Sequence, residues 1–349
     1  MCSWHTNNVT QIKSVSSCIS RALDTAVVPG FSKIGYEIRK RLGNWQPISS
    51  FDLRGKTVVI TGPTSGLGEQ VARQLALTGA NLVLVARNEE KCLRVIDEIA
   101  PLCTGNKPVF VRAEMGDLES VRSACAAIQQ QFAHVDVLIH NAGALLNIRQ
   151  VSPQGIEQTV ASHVVGPFLM TTLLLPLMDG GRVVTVSSGG MYTSSLPVFD
   201  IGETLEMPAH KYGGSKQYSI AKRAQVTLNE MWAQKQTATE FVAMHPGWAD
   251  TPGVQESIPG FRRATAPILR SAGEGADTIA WLAAVQLLPG KSGSFWSDRE
   301  IRPTHKSSRT KKNDNTSSRT ALWESVSHFV DPYIQVHNNC RAKSFAQRE

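Results

Sequence analysis

The amino-acid sequence predicts an α/β fold: a doubly wound, parallel sheet of about seven strands with helices on both faces, in one domain with extensions at both ends. From Gly55 onward, short runs of β-branched residues alternate with amphipathic segments of helix length. Parallel strands need a crossover connection, usually a helix, so this alternation is typical of a parallel sheet. A glycine-rich turn at 61–68 follows the first run directly, which indicates where that sheet binds a ligand.

Seven strands are expected, each an apolar run between helical segments. They lie at 57–60, 81–85, 109–111, 135–139, 182–186, 240–243 and 294–296. The expected domains are a helical extension at 1–54, a dinucleotide-binding and catalytic domain at 55–298, and a basic, flexible segment with a terminal helix at 299–349. Within the last segment, residues 306–320 are polar and basic, which predicts a flexible linker. Pro332 is expected to interrupt the helix that follows.

The N-terminal extension is expected to form two short amphipathic helices with a break at Pro29-Gly30. One apolar stripe comprises Ile19, Leu23, Ala26 and Val27, and the other Phe31, Ile34, Ile38 and Leu42, with Lys33, Arg39, Lys40 and Arg41 on the polar side of the second helix. Such stripes are typical of helices that pack on their own domain or on a second subunit of a homo-oligomer. The basic residues leave peripheral contact with a membrane open as the alternative.

Charge and cysteine usage narrow the class of protein. The net charge of +7 lies at the two ends, with +4 in residues 1–54 and +5 in 299–320, so the rest of the chain carries −2. A nucleic-acid enzyme usually has its basic stripe on the folded core, so no nucleic acid is expected as a partner. The six cysteines show no CxxC pair and no histidine spacing typical of zinc. We therefore expect reduced thiols, no metal site and a cytoplasmic location.

The turn after the first strand has the glycine spacing of a phosphate-binding loop, G-x-x-x-G-x-G. Its glycines permit a tight turn, close approach of the backbone to a pyrophosphate, and close packing of the next helix, whose N-terminus attracts the anion. We predict that a dinucleotide binds here, although an ordinary strand-to-helix turn is the alternative. The expected contacts are Gly62, Thr64, Ser65, Gly66, Leu67 and Gly68.

Arg87 follows the second strand, where a dinucleotide fold reads the adenosine ribose. An acidic residue there favours NAD, whereas an arginine suits the 2′-phosphate of NADP. The sequence therefore favours NADP (NADPH) as cofactor over NAD, with a solvent-exposed arginine at a helix start as the alternative interpretation. Glu114, after the third strand, is expected to border the adenine.

Two further strand ends carry candidate residues. Asn141, Ala142 and Gly143 follow the fourth strand and are expected to hold the backbone open beside the nucleotide. After the fifth strand, Ser187 still follows the strand alternation, while Ser188 leaves it into a glycine turn. Ser188 is therefore the preferred hydroxyl for orienting a substrate oxygen.

A tyrosine and a lysine four residues apart occur twice in KYGGSKQYSIAK at 211–222. Residues i and i+4 share one helix face, and an ammonium beside a phenol favours the phenolate, which helps a tyrosine transfer protons near neutral pH. Tyr212 and Lys216 enclose two glycines, which are poor helix formers, whereas Tyr218 and Lys222 begin a run without glycine. Tyr218 and Lys222 are the predicted catalytic pair, and the other pair is expected in a loop at the pocket edge.

In this order, the motifs resemble the short-chain dehydrogenase/reductase family over about residues 55–296. The resemblance is carried by Thr61, Gly62, Gly66, Gly68, Asn141, Ala142, Gly143, Ser188, Tyr218, Lys222, Pro246, Gly247 and Thr251. Three segments, SSGGM at 187–191, MHPGWADTPGV at 244–254 and PGF at 259–261, resemble one branch of the family more narrowly. The resemblance implies a Rossmann fold and an NADP-dependent oxidoreductase.

The resemblance also implies a role for each catalytic residue. Tyr218 exchanges a proton with the substrate oxygen while hydride passes to or from the nicotinamide. Ser188 hydrogen-bonds that oxygen, and Lys222 lowers the tyrosine pKa and holds the nicotinamide ribose. Thr251, in the family's PGxxxT pattern, holds the carboxamide. The sequence departs from the family at one position, where His163 replaces an asparagine that supports a proton relay in many members. Either His163 or Ser162 takes over that task, or the relay is weakened.

Apolar residues in two variable stretches predict a small lipophilic carbonyl or alcohol as substrate. They are Tyr192, Leu196, Val198, Phe199 and Ile201 before the catalytic helix, and Val254, Ile258 and Phe261 after the sixth strand. Arg262 and Arg263 would instead suit an acidic group. The alternative function is a dinucleotide-binding, membrane-associated sensor or scaffold with little catalysis, which the basic ends and His163 leave open.

Overall fold

The structure is a computed structural model that describes residues 19–20, 22–199 and 204–346. These residues form one eight-stranded sheet in the order β3-β2-β1-β4-β5-β6-β7-β8. The strands are β1 Thr57–Thr61, β2 Asn81–Ala86, β3 Val109–Arg112, β4 Val137–His140, β5 Arg182–Val186, β6 Glu240–Met244, β7 Phe295–Ser297 and β8 Glu300–Arg302. β1 to β7 pair in parallel. The predicted α/β fold is confirmed.

The prediction of about seven parallel strands missed β8, which runs antiparallel to β7. The two strands are joined by Asp298 and Arg299, both with φ of +54°. Positive φ at both central residues is the geometry of a tight hairpin turn. A three-residue strand with the sequence EIR is too short to show the alternation from which strands are predicted.

Helices cover both faces of the sheet. They are α1 Val27–Phe31, α2 Lys33–Leu42, α3 Gly66–Ala76, α4 Glu89–Ile99, α5 Leu118–Gln131, α6 Gln158–Val160, α7 Gly166–Leu174, α8 Gly214–Lys235, α9 Pro252–Ser257, α10 Pro259–Thr265, α11 Ala272–Ala284, α12 Ser308–Lys311 and α13 Thr316–Ala346. Along β1, Val59 packs into one apolar cluster, while Val58 and Ile60 pack into another. Because strand side chains alternate between faces, each cluster is the core on one side of the sheet.

The strand order places the ligand crevice. The chain runs outward from β1 to β3 and then returns to β4 on the other side of β1. In open α/β sheets, ligands bind outside the carboxyl ends of the strands at such a reversal. The residues that follow β1 and β4 therefore face each other across the expected cofactor site.

One stretch of the described residues, Gln158–Leu177, is long and apolar enough to cross a membrane. Within it, 72% of the residues in the most apolar window are buried inside the protein. We interpret it as a core helix.

The expected flexible linker at 306–320 is wrong for this structure, because the segment contains α12 and the start of α13. Asp314, with a side chain only 3% exposed, pairs with His305 at 2.8 Å and Arg319 at 2.5 Å. α13 also continues through Pro332, which was expected to interrupt it. Its buried Leu322, Val326 and Val330 pack into the core, and this tertiary packing outweighs the local cost of a proline. The domain boundaries stay a prediction.

The N-terminal helices pack on the domain, but with a different face from the one predicted. The break lies at Ser32, and Pro29-Gly30 are inside α1. The buried residues are Gly30, Phe31, Ser32, Gly35, Tyr36 and Arg39, whereas Val27, Ile34 and Leu42 are exposed. A Cβ on Gly35 would lie 2.3 Å from the Pro29 carbonyl oxygen. The buried face of α2 is therefore the one that carries Gly35, where the backbone of α1 approaches closely, and the buried Arg39. The apolar pattern of the sequence did not indicate this face.

Candidate active site

The glycine turn has the backbone geometry that its sequence predicts. Gly62 and Gly66 have φ of +66° and +57°, and a Cβ on Gly68 would lie 2.1 Å from the Gly62 carbonyl oxygen. Ser65 is the N-cap of α3 but makes no side-chain hydrogen bond to it, so the first N–H groups of the helix remain available to an anion. Leu67 contacts α11, since a Cβ on Gly275 would lie 2.7 Å from its side chain. These features fit the pyrophosphate of a dinucleotide.

Asn141 and Ala142 join the ends of β1 and β4. The Asn141 side-chain amide donates to the carbonyls of Thr61 and Gly62 at 3.0 Å each. The Thr61 hydroxyl accepts from the backbone amides of Asn141 and Ala142, also at 3.0 Å. A Cβ on Gly62 would lie 2.8 Å from the Ala142 Cα. The Asn-Ala pair therefore shapes the glycine turn as well as bordering the expected nucleotide site.

Arg87 and Glu114, predicted separately from the ends of two strands, pair with each other. Arg87 Nη1 lies 3.3 Å from Glu114 Oε2, with side chains 78% and 37% exposed. Glu114 Oε1 also accepts from the Gly116 amide at 3.3 Å. A pair this exposed is weak, so the guanidinium can turn to a phosphate at small cost.

Ser188, Tyr218 and Lys222 meet at the carboxyl ends of β5 and β6. The Ser188 hydroxyl lies close enough to the phenol of Tyr218 to affect its pKa. Lys222 Nζ lies 5.4 Å from the centre of the Tyr218 ring and donates to the Val186 carbonyl at 2.8 Å. Tyr218 and Lys222 share one face of α8, as their spacing predicts.

Burial decides the pKa values of this pair. Burial raises the pKa of Tyr218, and the neighbouring Ser188 hydroxyl acts in the opposite direction. Burial also lowers the pKa of Lys222 to about 7. The expected lowering of the tyrosine pKa by the lysine is therefore not what this structure shows, because desolvation penalises both charged forms. A pKa of about 7 allows Lys222 both to bind and to release a proton near neutral pH.

The two serines after β5 have different partners. Ser187 is buried and its hydroxyl donates to the Lys222 carbonyl at 2.9 Å, so it attaches β5 to α8. Ser188 begins the turn, and its Oγ accepts from the Gly190 amide at 3.1 Å. Of the two, Ser188 is the hydroxyl beside the phenol, as preferred from the sequence.

The second tyrosine and lysine pair lies partly outside the expected loop. α8 begins at Gly214, so Lys216 is helical, and its ammonium donates to Ser194 at 3.0 Å. A Cβ on Gly214 would lie 2.0 Å from the Leu146 carbonyl oxygen, so this glycine permits close packing at a helix start, where it costs little. Tyr212 precedes the helix and donates to Glu157 at 3.0 Å. The pair does not share a helix face.

His163 lies in the π-helical turn between α6 and α7, Ala161–Val165, and is fully buried. Such turns often occur at functional sites. Its Nε2 lies 3.1 Å from the Ala144 carbonyl oxygen, so Nε2 carries the proton and Nδ1 is an acceptor. Burial and the nearby Lys222 charge lower the pKa of His163 well below its ordinary value, so the ring is neutral. The ring packs edge-on against Tyr218 at 5.4 Å between centres.

Gly143 makes room for this histidine. A Cβ on Gly143 would lie 2.6 Å from the His163 ring, so the Gly143 prediction, made for the cofactor, has a second physical reason here. Ser162, the alternative relay residue, donates its hydroxyl to the Gln158 carbonyl of its own helix at 2.7 Å.

A small cavity behind His163 was not predicted. It offers about 30 Å³ to the centres of water molecules, enough for one or two waters. Its lining includes His140, His163, Gln225 and Asn229, and each has a buried nitrogen or oxygen without a hydrogen-bond partner among the described residues. Gln225 donates to the His163 carbonyl at 2.7 Å. These polar residues are scattered over β4, the π-helical turn and α8, so they form no motif from which such a cavity could be predicted.

The loop after β6 closes over the glycine turn. Thr251 caps α9 by accepting from the Val254 amide, and a Cβ on Gly66 would lie 3.4 Å from its side chain. Gly247 has φ of +75°, and its amide donates to His245 Nδ1 at 3.2 Å. Pro246 precedes it. The PGxxxT segment and the phosphate turn therefore border one cleft.

The residues predicted to contact substrate are only partly at this cleft. Leu196 is fully buried in the core, so it cannot border the cleft, and Ile201 lies outside the described residues. Tyr192 donates its hydroxyl to the Pro303 carbonyl at 2.7 Å. Phe261 packs edge-on against Trp248 at 5.1 Å, close to the PGxxxT segment. Arg262 already pairs with Asp250 at 2.9 Å, which weakens the acidic-substrate alternative.

Comparison with known proteins agrees with this geometry. The family model for short chain dehydrogenase matches residues 56–196. Dehydrogenase/reductase SDR family member 12 from Bos taurus is 34% identical over 282 residues, which cover 79% of this chain and 86% of that protein. The Homo sapiens protein of that name is 36% identical over 256 residues, covering 72% and 79%. Retinol dehydrogenase 11 from Homo sapiens is 29% identical over 276 residues, covering 76% and 84%.

Solved structures share the fold. An uncharacterized protein from Mycobacterium paratuberculosis superposes with a TM-score of 0.62 at 24% identity, covering 82% of this chain and 97% of that one. A short chain dehydrogenase from Escherichia coli CFT073, complexed with NADPH, gives a TM-score of 0.57 at 22% identity, covering 71% and 98%.

Proposed function

Since the chain belongs to the short-chain dehydrogenase/reductase family of NAD(P)-binding enzymes that act on CH-OH and C=O groups, and is similar to its member 12, we propose that it interconverts a carbonyl and an alcohol on a small lipophilic substrate with NADP(H). The observation that supports this most directly is the meeting of Ser188, Tyr218 and Lys222 beside a glycine turn suited to a pyrophosphate.

Each residue has a defined task in this proposal. When bound, the dinucleotide supplies or accepts the hydride. Ser188 donates to the substrate oxygen and orients it toward Tyr218, which gives that oxygen a proton during reduction or takes one during oxidation. Lys222, with a pKa of about 7, can return the proton to the phenol near neutral pH. The free Nδ1 of His163 and the other unpartnered polar atoms of the cavity behind it are suited to hold the water that recharges Lys222.

The preference for NADP over NAD rests on Arg87. Its guanidinium lies at the carboxyl end of β2 and is mostly exposed, where it suits a 2′-phosphate. Glu114 lies beside it, at the expected adenine side of the cleft.

Arg87→Asp is expected to shift the cofactor preference from NADPH toward NADH by about 10- to 100-fold, because one charge-assisted hydrogen bond to the phosphate is lost and a like charge replaces it. The dissociation constants of both cofactors, measured by quenching of protein fluorescence, check this. Arg94→Asp, at an exposed arginine on α4, makes the same charge change away from the strand end and should leave the ratio unaltered. An unchanged ratio in Arg87→Asp would remove Arg87 from cofactor selection.

A lipophilic substrate is supported by apolar side chains near the cleft and by one relative named retinol dehydrogenase 11. The test is a panel of aldehydes and ketones of increasing chain length and ring size, each followed by NADPH oxidation. We expect turnover that improves with apolar size. A protein that binds NADPH but turns over no compound would support the scaffold alternative.

Peripheral membrane contact is supported by the outer face of the N-terminal helices. Val27, Val28 and Ile34 are 48%, 52% and 50% exposed there, beside Lys33, whose side chain is 54% exposed. The double variant Val28→Ser/Ile34→Ser is expected to weaken binding to anionic liposomes by about 10-fold, because two apolar side chains no longer insert. Leu287→Ser, at a residue 86% exposed elsewhere, is the control. If the unaltered protein stays in the supernatant when liposomes are sedimented, the proposal of membrane contact is wrong.

A further inference from the structure

The inner face of the N-terminal helices contacts the loop that follows β6. The Trp248 amide donates to the Phe31 carbonyl at 2.8 Å. Arg270, which pairs with this loop through its backbone, donates from Nε to the Ser32 carbonyl at 3.2 Å and from Nη2 to the Gly30 carbonyl at 3.3 Å. The extension therefore supplies one backbone acceptor to the segment that contains the PGxxxT pattern and two to Arg270, which is bonded to that segment.

Phe31 also lies directly against the turn that carries Ser188. A Cβ on Gly189 would lie 2.6 Å from the Phe31 ring, so the ring occupies the space that any other side chain there would need. The same ring packs on His245 at 4.5 Å between centres and edge-on to Trp248 at 6.0 Å. One side chain from the extension thus contacts both loops that border the predicted nicotinamide and substrate oxygen.

A buried ion network connects α2 to the Pro246-Gly247 turn. Arg39 donates to Asp298 at 2.6 Å, and the same carboxylate accepts from Arg270 at 2.6 and 2.9 Å. All three side chains are at most 2% exposed. Arg270 then donates to the Pro246 carbonyl at 3.1 Å and lies 2.4 Å from the position of a Cβ on Gly247. The path from Arg39 to the turn is continuous and buried.

This arrangement is more specific than packing alone requires. A helix that only packs buries its apolar stripe, yet Ile34 and Leu42 are exposed while Arg39 is buried. Burying an arginine is costly unless its charge is paired and hydrogen-bonded. Here the ion pairs fix Asp298 and Arg270 behind the Pro246-Gly247 turn. Gly247 has no side chain that could fix this turn.

We propose that residues 27–42 are a positioning element of the active site. Phe31 sets the Ser188 turn, and Arg39 acts through Asp298 and Arg270 to set the Pro246-Gly247 turn. The inference rests on the proposed function, since it assigns the two turns to substrate and nicotinamide. Displacement of a reacting group by about 1 Å costs about 100-fold in rate, so loops held from behind in this way affect catalysis without touching the reactants.

Phe31→Ala and Arg39→Met test the proposal. Each variant is expected to raise the NADPH dissociation constant several-fold, to lower kcat by about 10- to 100-fold, and to accelerate amide hydrogen exchange in 187–190 and 246–250. The matched controls are Ile34→Ala and Arg41→Met, which alter exposed residues of α2 and should change none of these values. Arg39→Lys, which keeps the charge but not the fork geometry, should recover part of the loss.

Two outcomes overturn the proposal. The first is that Phe31→Ala and Arg39→Met both fold and both keep the NADPH affinity, the kcat and the amide exchange rates in 187–190 and 246–250 of the unaltered protein. The second outcome applies if neither variant folds. Because coupling between two sites is reciprocal, bound NADPH must then slow amide exchange in residues 27–42 of the unaltered protein. Exchange there that NADPH leaves unchanged would contradict the proposal. Cofactor affinity and exchange need no substrate, so they decide the matter even if the panel of carbonyl compounds shows no turnover.

Discussion

Tyr218→Phe is expected to lower kcat by about 10²- to 10⁴-fold, the usual contribution of a general acid or base. The change removes one hydroxyl from a ring that keeps its contacts with His163 and Lys222, so NADPH affinity and thermal stability should stay close to those of the unaltered protein. The measurement is single-turnover oxidation of NADPH with the best compound of the carbonyl panel.

Tyr212→Phe is the matched control, because it removes the hydroxyl of the competing tyrosine. That hydroxyl donates to Glu157 and the Leu146 carbonyl, so its loss is expected to cost about 1 kcal/mol of stability and less than tenfold in kcat. If Tyr212→Phe were the inactive variant and Tyr218→Phe the active one, the assignment of the catalytic pair would be wrong.

The choice between these tyrosines shows how far sequence alone reaches. Gly213-Gly214 argued against the first pair, and the structure places Tyr212 outside α8. Local signals of this kind, such as glycine spacing and i, i+4 pairs, depend only on residues close together in the chain, so they can be recognised in the sequence. The meeting of Ser188 with Tyr218, 30 positions apart, was implied by the resemblance to the short-chain dehydrogenase/reductase family, because no local pattern connects the two residues.

What the sequence did not predict depends on partners far along the chain. Asp298 is an ordinary acidic residue until the fold places it between Arg39 and Arg270, 259 and 28 positions away. The face of α2 was misassigned for the same reason, since apolar periodicity assumes that charged residues face water. The prediction of a flexible linker at 306–320 was wrong for a similar reason, because the buried Asp314 pairs with His305 and Arg319.

Lys222→Met is expected to abolish most turnover while making the protein more stable at pH 7. The ordinary lysine pKa of 10.5 is lowered to about 7 by burial, so the folded state disfavours the cation that the unfolded state carries. The penalty is fully present below pH 7 and disappears as pH rises toward 10.5. A shift of this size corresponds to roughly 3 to 5 kcal/mol at neutral pH, and a buried methionine avoids it.

Thermal unfolding between pH 7 and 9.5 checks this. The unaltered protein should gain stability relative to Lys222→Met as pH rises, because it releases the Lys222 proton only in the folded state over that range. Lys216→Met, on the same helix but exposed, should follow the unaltered protein at every pH. A Lys222→Met variant that is less stable at pH 7 would mean that the fold stabilises the ammonium, and Lys222 would then act as a fixed charge on the ribose rather than as a proton carrier to Tyr218.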